Sequence, residues 1–237
     1  MVKTILYNSY FLFSQIRRVL FLGKFYIFLI IALLWEAAVS IIGYVSKDPM
    51  PLGAVFYTMN LIPMLILGLY LSMTCVSFEK ENRTIETLFT IPGSPYKVWL
   101  YKLSVQFIIL LLVLILIAGI SFFFVQDFPI EVMVINVFIL VFFTANINFF
   151  FSIIFKSGYT GGLITVFILV ILMIFSQIDP IRNTSWNFYI NPFSKPANLD
   201  LLIWNERLLY NKLGIAFFGS MFMYFGLSRL RNREPFI

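Results

Sequence analysis

Six stretches of this chain are apolar for long enough to cross a lipid bilayer: about Phe25–Val45, Val55–Val76, Leu103–Val125, Ile130–Ile154, Tyr159–Phe175 and Leu213–Leu227. Hydrocarbon about 30 Å thick takes roughly 20 helical residues, so the sixth is short unless Leu208–Tyr210 extend it. The runs are unbroken. A membrane strand would alternate apolar and polar residues with turns about every ten positions, and that pattern is absent. Lipid offers no partners for backbone N–H and C=O, so the spans are predicted to be α-helices.

Polar residues punctuate the runs. Gly43 and Lys47-Asp48-Pro49 end the first, Pro51 and Gly53 make a short turn, and Pro63 predicts a kink in the second. Asp127 and Pro129 close a tight turn between the third and fourth spans, and Lys156-Ser157-Gly158 another between the fourth and fifth. Two polar stretches are longer, Ser77–Lys102 and Ser176–Lys212. The second holds Trp186, Tyr189 and Trp204, which suit a membrane–water interface or short cap helices before the sixth span.

Residues 1–24 carry Lys3, Arg17, Arg18 and Lys24 and no acid. At 100° per residue Ser14, Gln15, Arg17, Arg18 and Lys24 share one half of a helical wheel, and Leu12, Phe13, Ile16, Val19 and Leu20 the other. That predicts a helix lying in the membrane interface with its basic face toward headgroups. A cleavable signal peptide fits poorly, because the apolar region lies too far in and is too long.

Composition sharpens the class. The 237 residues are 61% hydrophobic and 12% charged, against roughly 45–50% and about 25% for soluble domains. The fold class is therefore all-α integral membrane, a single domain over 1–237. Orientation follows lysine and arginine. With both termini cytosolic, the inner segments hold Lys3, Arg17, Arg18, Lys24, Lys80, Arg83, Lys97, Lys102, Lys156, Arg229, Arg231 and Arg233; the outer ones hold Lys47, Arg182, Lys195, Arg207 and Lys212. The bias predicts a multi-pass protein of the cell membrane with the 77–102 loop inside. The net charge of +6 then reflects cytosolic flanks, not a nucleic-acid partner.

The chemistry available is narrow. There is no histidine, which removes the commonest general base and zinc ligand. One cysteine, Cys75, excludes an internal disulfide and a multi-cysteine metal site. Glu36 is the one ionisable residue deep in a span. A central charge costs roughly 2.5–3.5 kcal/mol on insertion scales, so it should face a subunit interface or substrate path, or tie the first span to a neighbour. Asn60, Asn146 and Asn148 either line such a path or knit helices together.

The 77–102 loop is the most charged segment. Glu79 and Arg83 form an i,i+4 pair with the acid first. Ile85, Leu88 and Phe89 make an apolar patch, Pro92-Gly93 breaks the helix, and Ser94-Pro95 restarts one as N-cap and first helical residue. The predicted product is a short helix, a corner, and an elbow helix carrying Tyr96, Lys97 and Trp99 into the third span.

Glu79-Lys80-Glu81, Thr84, Glu86, Leu88, Ile91-Pro92 and Ser94, with Lys102 heading the next span, resemble the loop after the second span of ABC-2 type permeases, the membrane subunits of a class of ATP-binding cassette transporters. The basic N-terminal helix, six spans, polar segment before the sixth and Arg-rich tail agree. Two positions depart from the pattern: Arg83 stands where the family usually has Gly before the loop threonine, and Tyr101 where it often has Gly before the lysine. The resemblance implies that Glu79, Glu81, Thr84, Glu86, Leu88, Pro92 and Ser94 form a coupling helix seated on a separate cytosolic ATPase. ATP and magnesium would bind that partner, since this chain has no G-x-x-x-x-G-K-[ST] phosphate loop and binds no cofactor itself. It further implies a second permease subunit, alike or different, a segment before the sixth span acting as a lid over the exit, and export of a peptide, antibiotic, lipid-linked molecule or ion. On this reading the chain is not an enzyme. An intramembrane enzyme is disfavoured by the missing histidine and paired carboxylates. A secondary transporter coupled through Glu36 is disfavoured by its lone carboxylate and the lack of an inverted repeat.

Overall fold

The computed structural model describes residues 24–46, 50–81 and 95–231, and every regular element among them is helical. We label them α1 (Phe25–Ser46), α2 (Leu52–Ala54), a π-helix (Val55–Leu61), α3 (Ile62–Glu81), α4 (Pro95–Phe124), α5 (Ile130–Ile154), α6 (Gly158–Ser176), α7 (Asp179–Arg182) and α8 (Leu201–Arg231). Among the described residues six segments are long and apolar enough to span a membrane: Phe25–Gly43, Leu52–Ser77, Trp99–Phe124, Ile130–Ile154, Gly158–Ser176 and Leu201–Leu230. The protein is therefore a multi-pass helical membrane protein.

α5 is the axis of the bundle and the most deeply buried of the six. Met133, Val137, Leu140, Val141, Ala145 and Phe149 are all fully buried on it. The other helices cover it and turn apolar faces outward, as Ile30, Leu34 and Ile41 do on α1 and Leu163, Phe167 and Ile174 on α6. In water such faces would be a liability. In lipid they are the solvent-matched surface of a span.

Small residues set the closest helix contacts. A Cβ on Gly158 would strike Met73 O and one on Gly161 would strike the Ser152 backbone. Glycine there lets α6 lie directly on α3 and α5, the packing that lipid-embedded helices favour. Lys156 turns the chain between α5 and α6 with φ 52°, and Ser157 Oγ caps α6 by accepting from Thr160 N at 3.3 Å. α5 and α8 run parallel: Gly219 sits against Phe142 and Phe143, and Gly226 against Phe149.

Three boundaries differ from the pattern reading. The second span does not stop at Val76; its helix continues to Glu81, so Glu79-Lys80-Glu81 lie on an extension of the span. The sixth does not begin near Leu213 but at Leu201, directly after Asp200, whose Oδ1 accepts from Leu202 N at 3.4 Å. Arg207 and Lys212, expected in a polar outer segment, are thereby on a helix. Between Gln177 and Asp200 the only helix is the four-residue α7; turns take the place of the predicted short helices. The elbow helix agrees with expectation, since α4 starts at Pro95 and runs unbroken into the span.

The π-helix accounts for Pro63. Its last link is Ile62 N–H to Tyr57 O, five residues back. The next link in that register would come from Pro63 to Thr58 O, and proline has no N–H. The register change sits where one backbone donor is missing in any case.

Candidate functional site

Three groups of buried polar residues stand out among the described residues. The first is a knot joining α1, the π-helix and α4. Ser121 Oγ lies 3.2 Å from Glu36 Oε2 and 3.1 Å from Ile117 O, and it accepts from Asn60 Nδ2 at 3.3 Å. Asn60 Nδ2 also donates to Val55 O at 3.2 Å. Glu36, Asn60 and Ser121 are each fully buried, and Glu36 Oε1 and Asn60 Oδ1 have no hydrogen-bond partner. One residue away, Trp35 Nε1 donates to Thr58 O at 2.9 Å. Consecutive residues of α1 thus reach the same irregular turn, Trp35 directly and Glu36 through Ser121. π-Turns recur at functional sites because they displace side chains and free backbone carbonyls.

The second place ties α3 to α5. Asn148 Nδ2 donates to Ser72 Oγ at 2.5 Å and Leu69 O at 3.2 Å, and Ser152 Oγ donates to Asn148 Oδ1 at 3.2 Å. Asn146 is separate: it bonds back to Phe142 O on its own helix at 2.9 Å, and its Oδ1 is unpartnered. The four residues singled out as path candidates therefore do not converge. Glu36 and Asn60 share a knot, Asn148 fastens two helices elsewhere, and Asn146 stands alone.

The third place is a cap. Asn187 Oδ1 accepts from Tyr189 N and Asn191 Oδ1 from Phe193 N, both at 2.9 Å. Two consecutive Asx turns fold Asn187–Phe193 compactly without a helix. The cap is fastened to α2, the π-helix, α5, α6 and α8. Tyr57 OH donates to Tyr189 O at 2.6 Å, and Asn191 Nδ2 reaches Gly53 O at 3.4 Å. Tyr189 OH donates to Leu169 O at 3.2 Å; burial pushes this phenol up to about 12, so it keeps the proton it donates. Phe188 packs on Phe143 and Phe193 on Phe56 and Phe128. Sequence patterning expected cap helices in this segment and missed the asparagine turns, although the repeated Asn-x-aromatic in Asn187-Phe188-Tyr189 and Asn191-Pro192-Phe193 carried the signal.

At the opposite end, the stems of the charged loop meet. Val76 near the end of α3 and Trp99 and Leu103 at the start of α4 pack with Phe149 and Ile153 of α5 and Leu230 of α8 in one buried cluster. Trp99 is 3% exposed, its ring lies 5.7 Å from that of Phe149, and Lys102 Nζ sits 5.2 Å over it. Of the residues expected to form a coupling helix, Glu79 and Glu81 fall on the last turns of α3; Thr84, Glu86, Leu88, Pro92 and Ser94 lie outside the described residues. So do Arg17 and Arg18 of the expected basic face. Lys24 is exposed and turns the backbone at φ 57° immediately before α1. Among the described residues, no group of three His, Cys, Asp or Glu side chains could hold a metal ion. Comparison with protein-family models, curated proteins and solved structures gives no match.

Proposed function

We propose that the chain is the membrane-spanning permease subunit of an ATP-driven ABC transporter working as an exporter. A separate cytosolic ATPase binds ATP and magnesium, a second permease subunit completes the pathway, and both termini of this chain face the cytosol. The observation that carries the reading is the cluster beneath the charged loop. Trp99 and Val76 hold both stems of the loop against α5 and α8. A force applied to the loop is then delivered to the central helix and the last helix together. Packed cores shift as units and do not deform continuously, so such a base suits a lever. The long helix from Pro95 through Phe124 is its arm.

Co-purification with the product of the neighbouring gene tests this. A stoichiometric ATPase that is lost when Glu81 and Glu86 are both changed to Lys supports the assignment. A complex that survives the double change removes the loop from its role, and the absence of any nucleotide-hydrolysing partner removes the function.

A further inference from the structure

α8 holds the cap along one stripe. Trp204 Nε1 donates to Pro192 O at 3.3 Å, Arg207 Nη1 to Asn183 O at 2.7 Å, and Asn211 Nδ2 to Ser185 O at 2.9 Å and Asn187 O at 2.8 Å. Lys212 follows directly and is treated differently. It is 7% exposed, and its Nζ has no hydrogen-bond partner. Lysines near a span's end normally run their stem along apolar surface and lift the ammonium into water. Lys212 lies eleven residues into α8, roughly 16 Å along it at 1.5 Å per residue, and does not reach out. Asp127, Glu131, Asp179, Asp200 and Glu206 are all exposed, so none of these acids answers it.

The surroundings are specific. Gly219 lies against Phe142 and Phe143 and Gly226 against Phe149; carried back seven residues on each parallel helix, that register brings Lys212 to the stretch of α5 holding Ile135 and Asn136. Asn136 is buried and its Nδ2 is committed to Val132 O at 2.8 Å, which leaves Oδ1 as a free acceptor. Asn211 is buried too; its Nδ2 is committed to the cap and its Oδ1 is unpartnered. One buried amine and two buried amide oxygens are therefore without hydrogen-bond partners on the facing stretches of α5 and α8. A buried charge persists when something supplies its counter-charge.

We propose that Lys212, Asn136 and Asn211 form a receptor for an oxyanion, a phosphate or carboxylate that carries a hydroxyl or N–H beside it. Lys212 takes the anionic oxygens, and the two amide oxygens take the adjacent donors. A phosphoglycerol lipid headgroup and a soluble phosphate monoester share this chemistry. The inference does not rest on the transport reading, since it needs only the buried amine and its neighbours.

The test uses the purified chain in phosphatidylcholine nanodiscs, a lipid whose headgroup offers no donor. One arm adds phosphatidylglycerol to the discs; the other adds soluble glycerol 3-phosphate. Binding is read by thermal stabilisation and Trp fluorescence. Wild type responds in one arm, which identifies the source. Lys212→Met weakens that response at least about tenfold, while Lys212→Arg retains it. Should Lys212→Met yield no folded protein, Lys212→Gln is read by the same criterion. Silence of wild type in both arms overturns the proposal, and so does an equal response of the neutral variant.

Discussion

Trp35 Nε1 donates to Thr58 O at 2.9 Å because Pro63 leaves that carbonyl without a backbone partner. The proline, the π-helix and the docking of α1 are thus one arrangement. The neighbouring residue, Glu36, joins the same turn through Ser121 and Asn60.

Trp35→Phe keeps the ring and deletes the donor. It should cost about 0.6 kcal/mol, the average for hydrogen bonds between membrane helices. Pro63→Ala restores an N–H that competes for Thr58 O. In a double-mutant cycle the two changes should be less than additive by thermal melting; strict additivity would separate the proline from the tether.

Ser121→Ala removes the link between Glu36 and Asn60 and leaves buried groups unpartnered, a loss of about 1–3 kcal/mol. Glu36→Gln retains a group that can still meet Ser121 and should melt within about 1 kcal/mol of wild type. If the knot also serves transport, Glu36→Gln changes ATPase stimulation in the assembled complex at unchanged assembly. Unchanged turnover marks it as packing alone.

The α6 glycines separate by what they touch. Gly158→Ala drives a Cβ into the Met73 carbonyl and Gly161→Ala one into the Ser152 backbone; neither can yield without moving a helix. Each should cost more than about 3 kcal/mol, beyond ordinary overpacking. Gly162→Ala meets the Met73 thioether at 2.5 Å, and a flexible side chain can turn aside. Its loss should be markedly smaller in the same melts.

Trp99→Ala hollows the cluster under the loop at a cost of about 3–5 kcal/mol. Trp99→Phe is the informative variant. If the chain is the proposed permease, this variant should leave assembly with its ATPase intact and lower the coupling of hydrolysis to transport. Equal coupling in wild type and variant would show that the stems do not act as a lever.

The proposed orientation is open to direct labelling. Cys75 is the one cysteine, so Cys75→Ser gives a clean background. Trp186→Cys, at a position 85% exposed on the cap, should then react with a membrane-impermeant maleimide added outside intact cells. Labelling only after lysis would invert the topology.

The residues alone determined the class, the number of crossings and most turns. Unbroken apolar runs admit one solution in lipid, and Pro95 and Lys156-Ser157-Gly158 set local boundaries by local chemistry. Where helices end was less legible. α3 runs on to Glu81 and α8 begins at Leu201 because a helix outlasts its apolar stretch when nothing breaks it. Only the tertiary structure decided which polar residues meet. Glu36 and Asn60 share a knot through Ser121, a residue no pattern distinguishes, while Asn146 and Asn148 part company two residues apart on one helix. The charge count put Lys212 among outer charges; packing buried it on α8. The physical reason is range. Periodicity and turn chemistry act within a few residues, whereas a buried hydrogen bond depends on which helix faces lie opposite, and that is settled by close packing of the whole bundle.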